Sequence, residues 1–114
     1  MHDEVDAEVT TSPADTAQRV ADRVRECPGV VGLSTGPFGT LVTPVVGGTI
    51  PGVLLREDSV ELGVVARYGP PLPATATELR RAVRPLVPGR EVHVSFVDLV
   101  VESPAGNGPD SREG

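Results

Sequence analysis

Residues 60–67 alternate between two kinds of side chain, and this alternation constrains the fold more than any other feature of the sequence. The even-numbered residues from Val60 to Ala66 are all apolar, whereas the odd-numbered positions include Glu61 and Arg67. Such a pattern predicts a strand whose one apolar face is buried and whose other face is more polar. A half-buried strand is stable only where a second layer covers its apolar face, so the chain must also supply covering elements.

Two amphipathic segments are predicted to supply that second layer. Ser12 is a good N-cap, Pro13 suits the first helical position, and Pro28 and Gly29 stop the first helix near Glu26. The rigid connector Gly69–Pro73 precedes the second helix, which ends near Pro85. Apolar residues recur at helical spacing in both segments: Ala17, Val20, Ala21 and Val24 in the first, and Ala76, Leu79, Val83 and Leu86 in the second.

The remaining apolar runs read as strands. Residues 29–35, 40–46, 50–56 and 60–68 lie between the two helices, and residues 91–102 follow the second one. Gly47-Gly48 predicts a two-residue hairpin turn, and Pro44 and Pro51 predict that this hairpin lies at a sheet edge or is irregular. The order α-β-β-β-β-α-β indicates an α+β fold in two layers. Its mostly antiparallel sheet of about four strands carries both helices on one face.

Composition fits a single small domain. Apolar residues make up 39% of the 114 residues and aromatic residues only 3%, so the core is predicted to consist of Val, Leu, Ile and Ala. The polar, acidic residues 1–11 and the Pro- and Gly-containing residues 103–114 are predicted to be disordered tails. Residues 12–102 are therefore expected to form one domain.

The net charge of −6 is concentrated in the first tail. Residues 1–11 carry four acids and no Arg, so they hold −4, whereas residues 12–102 carry ten acids and nine Arg and hold −1. A nearly neutral domain lacks the excess of cations that neutralises phosphates, which disfavours nucleic-acid binding. The runs Gly29–Gly32 and Gly36–Gly39 have no basic residue and fit neither an RNA-clamping nor a nucleotide-binding loop.

The residue types that carry enzyme chemistry are scarce and separated. Cys27 is the only cysteine and lies at the predicted end of a helix, which raises rather than lowers a thiol pKa. His93 falls on the solvent side of the last strand, and Glu57-Asp58 falls in a turn. Neither position provides the buried, paired groups of an acid–base or metal site. The sequence therefore predicts a protein that is not an enzyme and needs no cofactor or metal.

One basic cluster stands out in the second half of the chain. Arg80, Arg81 and Arg84 lie on the second helix, and Arg90 follows shortly after it. The simplest interpretation is a solvated helix face with cations near the helix C-terminus. The functional interpretation is a contact for an acidic partner, an anionic membrane surface or the chain's own acidic N-terminal tail. Leu72, presented by the Gly69–Pro73 connector, is a further candidate for partner contact.

No apolar run approaches the roughly 18 residues of a spanning helix, and the acidic N-terminus does not fit a signal peptide. The expected location is cytoplasmic, with no direct membrane span.

Four short motifs, in their order and spacing, resemble the alkaline-shock-protein (envelope stress response) family. Cys27–Leu33 (CPGVVGL) resembles the family's helix-to-strand opening, and Val64–Gly69 (VVARYG) resembles the strand that ends before its second helix. Leu72-Pro73 matches the start of that helix, and Val92–Val100 resembles the closing strand. The similarity spans about residues 16–101. The chain differs from the commoner members in its proline-bearing insertion at 40–52 and its lack of lysine, and looks more like the small actinobacterial branch.

The resemblance implies a non-enzymatic scaffold or interaction protein associated with envelope stress. Such a protein would self-associate as a homo-oligomer or dock on a paralogue or a small integral membrane protein, which would hold it at the membrane. The residues leave a second class open: a small domain that binds RNA or an anionic ligand through Arg80, Arg81, Arg84 and Arg90.

Overall fold

The structure of the chain, a computed structural model, describes residues 12–101. The two predicted disordered tails, residues 1–11 and 103–114, lie outside the described residues. The elements, in chain order, are α1 (Pro13–Arg25), β1 (Val30–Leu33), β2 (Val42–Val45), β3 (Gly48–Pro51), β4 (Val53–Leu55), β5 (Ser59–Arg67), α2 (Leu72–Val83), a 3-10 turn (Arg84–Leu86) and β6 (Glu91–Val100).

Both helices begin and end close to the positions that the sequence predicts. The Ser12 hydroxyl caps α1 by accepting a hydrogen bond from the Asp15 N–H at 3.0 Å, and Pro13 is the first helical residue. Helix α2 starts with Leu72-Pro73 and changes to the 3-10 turn at Arg84, the residue before Pro85. The change follows because Pro85 has no N–H to donate to the carbonyl of the preceding helical turn.

Strand β5 is the centre of a four-stranded sheet. Along one edge it pairs antiparallel with β4 in its first half and with β1 in its second half. Along the other edge it pairs parallel with β6 over its whole length. The parallel pair follows from the β5–α2–β6 connection, because a helix between two strands returns the chain to the starting end of the sheet.

Strands β2 and β3 form a separate two-stranded hairpin that includes both Pro44 and Pro51, as the sequence predicts. The turn consists of Val46 and Gly47, one residue earlier than predicted. The predicted strand 50–56 is divided into β3 and β4 at Gly52, whose φ of +82° interrupts an extended chain. The structure thus has five strands between the helices instead of four.

The helices cover one face of the sheet in the same order as the strands beneath them. Helix α1 packs on β1 and β4, and α2 packs on β6. Fully buried Leu62 and Leu79 are the largest side chains of the core between the layers. The other buried apolar residues are mostly valines and alanines, so the predicted α+β fold with two helices and an aliphatic core is confirmed.

Candidate protein interaction surface

The structure brings three of the predicted arginines together where α2 passes into the 3-10 turn. Arg80, Arg81 and Arg84 line a shallow depression of about 190 Å³ with Thr77, whose hydroxyl donates to the Pro73 carbonyl oxygen at 3.0 Å. None of the three arginines forms an ion pair within residues 12–101. Three unpaired guanidinium groups on one helix turn produce a local positive potential that attracts anionic groups.

The other two predicted contact residues lie apart from this depression. The Arg90 Nε donates to the Arg56 carbonyl oxygen at 2.8 Å, so the side chain is directed to the turn between β4 and β5. Leu72, the first residue of α2, is half-buried and does not line the depression. Neither residue shares a site with Arg80, Arg81 and Arg84.

Arg80 and Arg84 lie on the side of α2 that is turned away from α1. The opposite side of α2 faces the C-terminal end of α1. A Cβ on Gly29 would lie 2.6 Å from the Thr75 Oγ1, and the Glu78 carboxylate raises the pKa of the Cys27 thiol. Because residues are spaced by about 100° around a helix, Arg80 and Arg84 point in the other direction. Helix α2 packs on β6, so Arg80 and Arg84 belong to the part of the helix layer that lies on the β6 side of the sheet.

Strand β6 is an edge strand along its full length. It pairs with β5 on one side, and no other strand within residues 12–101 pairs with its second side. An edge strand presents unpaired N–H and C=O groups that can bind another extended chain. On the opposite edge of the sheet the β4 half is covered, because the buried Thr43 Oγ1 of the hairpin donates to the Val53 carbonyl at 2.6 Å and accepts from the Leu55 N–H at 3.2 Å.

The register with β5 identifies the outward polar groups of β6. In a parallel pair alternate residues direct both backbone groups to the partner strand. The Glu91 N–H donates to the Asp58 carbonyl oxygen at 3.0 Å, which assigns Glu91, and by alternation His93, to this role. The N–H and C=O groups of Val92, Val94 and Phe96 therefore point away from β5. Beyond the bulge near Val97 the outward N–H of Leu99 is satisfied by the Asp98 Oδ1 at 2.8 Å. The free stretch of the edge is thus residues 92–96.

A loop on the face of the sheet opposite to the helices presents an aromatic residue beside this edge. Phe38 is 86% exposed at the tip of residues 34–41. The loop is held at its base, because the Ser34 N–H donates to the Gly63 carbonyl at 2.9 Å and the Gly52 N–H donates to the Leu41 carbonyl at 2.7 Å. An exposed aromatic ring on a fixed backbone is typical of residues that anchor protein interfaces.

A mostly apolar groove of about 370 Å³ joins this loop to β6. It is lined by Gly36, Pro37, Phe38, Thr40, Leu41, Ser95, Phe96 and Val97. We use the name edge surface for three features on the β6 side of the fold: the outward backbone of residues 92–96, the groove with Phe38, and the side of the helix layer that carries Arg80 and Arg84. The outward backbone offers hydrogen-bonding groups, the groove offers apolar contacts on one face of the sheet, and Arg80 and Arg84 offer positive charge on the helix side.

The residues considered for catalysis lie in separate places. Cys27 is 7% exposed, and its thiol contacts the Arg23 carbonyl oxygen at 3.7 Å. Burial raises the pKa of this thiol, the Glu78 and Glu26 carboxylates raise it further, and the Arg23 guanidinium lowers it in part. His93 is exposed on β6 and its Nε2 lies 3.3 Å from the Glu91 Oε1. Among residues 12–101 the histidine thus lies on a different element from the thiol.

Acidic and metal-binding groups show the same separation. Glu57 and Asp58 are exposed in the turn between β4 and β5, as predicted. Within residues 12–101 no three His, Cys, Asp or Glu side chains come close enough to hold a metal ion. In the same part of the chain, neither helix has the length and apolar character needed to cross a bilayer.

Sequence reasoning identified the arginines but missed the other two parts of the edge surface. Gly36–Gly39 reads as an ordinary turn, and only the hydrogen bonds at its base show that Phe38 is held in place. The edge position of β6 depends on the topology of the sheet, although the alternation of polar residues along 91–95 is a weak signal for a strand with one solvated face. Comparison with known proteins adds no relative: no protein family, no curated protein and no solved structure matches this chain.

Proposed function

We propose that this chain is a non-enzymatic interaction protein that binds other protein chains along the edge surface. The free edge at residues 92–96 carries the proposal, because an added strand would gain backbone hydrogen bonds there without any change in the fold. The groove beside it provides the side-chain contacts that make such binding selective. Arg80 and Arg84 favour a partner with acidic residues.

The resemblance to the alkaline-shock-protein family supports a cellular role for this binding. On that basis the proposed partners are a second copy, a paralogue or a small integral membrane protein, and the proposed context is the response to envelope stress. A cytoplasmic protein held at the membrane by such a partner would need an exposed binding surface of its own, and the edge surface fits that need.

Photo-crosslinking in the cell that naturally produces this protein tests the proposal. Phe38→p-benzoylphenylalanine places a crosslinker in the groove, and Val46→p-benzoylphenylalanine is the matched control on the distant hairpin turn, where Val46 is fully exposed. We expect discrete adducts from position 38 and none of the same size from position 46.

A second variant connects those adducts to the strand edge. Val94→Pro removes an N–H that points away from β5, so the pairing with β5 is kept while strand addition is blocked. Val94→Ala, which loses the side chain but keeps the N–H, is its control. Adducts that persist unchanged in Val94→Pro, or that form equally from position 46, would refute binding along this edge.

A second candidate function is the binding of an anionic ligand or RNA, and the unpaired arginines in the 190 Å³ depression favour it. It predicts a salt-dependent affinity that is lost when Arg80→Ala and Arg84→Ala are combined. An unchanged affinity in that double variant would exclude the depression as the binding site.

A further inference from the structure

We infer that the edge surface accepts a strand that alternates acidic and apolar residues, and that residues 4–9 of a second copy of this chain supply it. The inference rests on the proposed function and names the occupant of the surface. It assigns a role to the acidic N-terminal segment, where most of the negative charge of the chain is concentrated.

The sequence of the N-terminal segment has the period of a strand. Glu4, Asp6 and Glu8 alternate with Val5, Ala7 and Val9, and no Pro or Gly interrupts residues 4–11. An extended chain directs successive side chains to opposite sides, so this segment would have one wholly acidic face and one wholly apolar face. The core of residues 12–101 is formed by the two helices, the sheet and Ile50 of the hairpin.

The edge surface has the complementary faces on either side of its free backbone. On the helix side of the sheet, Arg80 and Arg84 lie without an acidic partner among the described residues. On the opposite side, Phe38 and Leu41 form the apolar groove with β6. A strand added to residues 92–96 would therefore place its acids beneath the arginines and its Val and Ala side chains against the groove. About five paired residues match the six-residue length of the alternating segment.

Distance favours a second copy over the same chain as the source of the strand. The segment joins the domain at Ser12, the cap of α1, and α1 lies over β1 and β4 on the far side of β5 from β6. A strand added beyond β6 would lie three strand spacings, about 14 Å, from the position of β1 and β4 beneath α1. The N-terminal segment would also have to run from the helix layer to the level of the sheet. Three residue steps from Ser12 to Val9 span only about 10 Å. A neighbouring copy has no such restriction.

Reciprocal exchange between two copies would give a closed dimer, and exchange in one direction would give a longer assembly. Direct pairing of two β6 edges is less favourable, because it would bring the Arg80–Arg84 sides of the two α2 helices towards each other. An acidic strand between them removes that repulsion. Charge complementarity therefore selects the N-terminal segment over β6 itself as the partner of β6.

A peptide-binding experiment tests the inference directly. A fluorescein-labelled peptide of residues 1–11 is titrated with a chain that lacks residues 1–10 and keeps the Ser12 cap, and anisotropy is recorded at low and physiological salt. We expect saturable binding that weakens with salt, and no binding of a peptide of the same composition whose acidic and apolar residues are grouped instead of alternating. Equal binding of both peptides, or of neither, overturns the inference.

Variants of the folded chain then locate the peptide. Arg80→Glu with Arg84→Glu should weaken binding about tenfold or more, and the matched charge change Arg19→Glu with Arg25→Glu on α1 should leave it nearly unchanged. Val94→Pro should abolish binding and Val94→Ala should not. Insensitivity to Val94→Pro places the peptide elsewhere and overturns the inference.

Sedimentation of the full chain distinguishes a second copy from the same chain. We expect its mass to rise with concentration, and we expect the chain without residues 1–10 to stay monomeric. A full chain that stays monomeric at every concentration overturns the second-copy assignment. The crosslinks from position 38 to other proteins distinguish this inference from the proposed function. If these crosslinks persist in the chain without residues 1–10 while the peptide fails to bind, the inference fails and the proposed function stands.

Discussion

Gly63 of β5 lies directly against Ser34, the first residue of the loop that presents Phe38. The Ser34 N–H donates to the Gly63 carbonyl oxygen at 2.9 Å, and a Cβ on Gly63 would lie 2.1 Å from the Ser34 carbonyl oxygen. No side chain larger than hydrogen fits at this crossing, because the atom it would meet belongs to the backbone. The glycine therefore allows residues 34–41 to cross the sheet and approach β6.

We expect Gly63→Ala to displace this loop and to lower the free energy of unfolding by about 1–3 kcal/mol, as is usual for overpacking of a buried site. Chemical denaturation measures the stability, and amide exchange at Leu41 reports the loop. Gly32→Ala in neighbouring β1 is the matched control, because no atom lies within 4 Å of its added Cβ. Identical denaturation midpoints for the two variants would contradict the close approach.

The Thr43 hydroxyl joins the β2–β3 hairpin to β4 through two hydrogen bonds, and removal of this hydroxyl should destabilise the contact between hairpin and sheet. Thr43→Val keeps the shape of the side chain but leaves the Val53 carbonyl and the Leu55 N–H without their partner. We expect a loss of about 1–3 kcal/mol in unfolding free energy, which is typical for buried polar groups left unsatisfied. Exchange of the Leu55 amide should accelerate. Thr49→Val, at an exposed position opposite Pro44, should change neither quantity.

The cap of α1 gives a prediction of smaller size. Ser12→Ala removes the acceptor for the Asp15 N–H and should cost about 1 kcal/mol. Ser12→Asp keeps an acceptor and adds a negative charge at the positive end of the helix, so its stability should equal or exceed that of the natural chain. Thermal unfolding followed by circular dichroism distinguishes these outcomes, and equal melting of Ser12→Ala and Ser12→Asp would show that the cap contributes nothing.

Local signals in the sequence were sufficient for the elements of this fold. Ser12-Pro13 marked the start of α1, and the alternation of 60–67 marked β5, because capping and periodicity depend on residues close together in the chain. The division of 50–56 at Gly52 was missed, since an isolated glycine in an apolar run is compatible with a continuous strand. The Gly52 N–H donates to the Leu41 carbonyl oxygen, so the break in the strand coincides with a contact to another segment of the chain.

The candidate site was less predictable than the fold for the same reason. Arg80, Arg81 and Arg84 are neighbours on one helix, so their grouping follows from helical spacing alone. Arg90 is close to them in sequence, yet its bond to the Arg56 carbonyl depends on the pairing of β4, β5 and β6. The approach of Phe38 to β6 likewise joins residues that are far apart in the chain, and no local pattern encodes it.

The buried thiol of Cys27 makes the stability of the chain depend on alkaline pH. Burial raises the pKa of Cys27, so the folded chain keeps its thiol proton at a pH where the unfolded chain has already released it. This contribution to stability is complete below the pKa of the unfolded thiol, about 8.5, and is lost as the pH rises through the higher pKa of the folded state.

Cys27→Ala removes the titrating group and should flatten this dependence, although the smaller side chain itself lowers stability at every pH. Denaturation midpoints at several values between pH 7 and pH 10 should therefore fall more steeply for the natural chain than for the variant. Apart from Cys27 the two proteins carry the same residues, so the effect of every other group cancels in the comparison. Parallel curves would mean that Cys27 is accessible to water in the folded chain, in conflict with its position between α1 and α2.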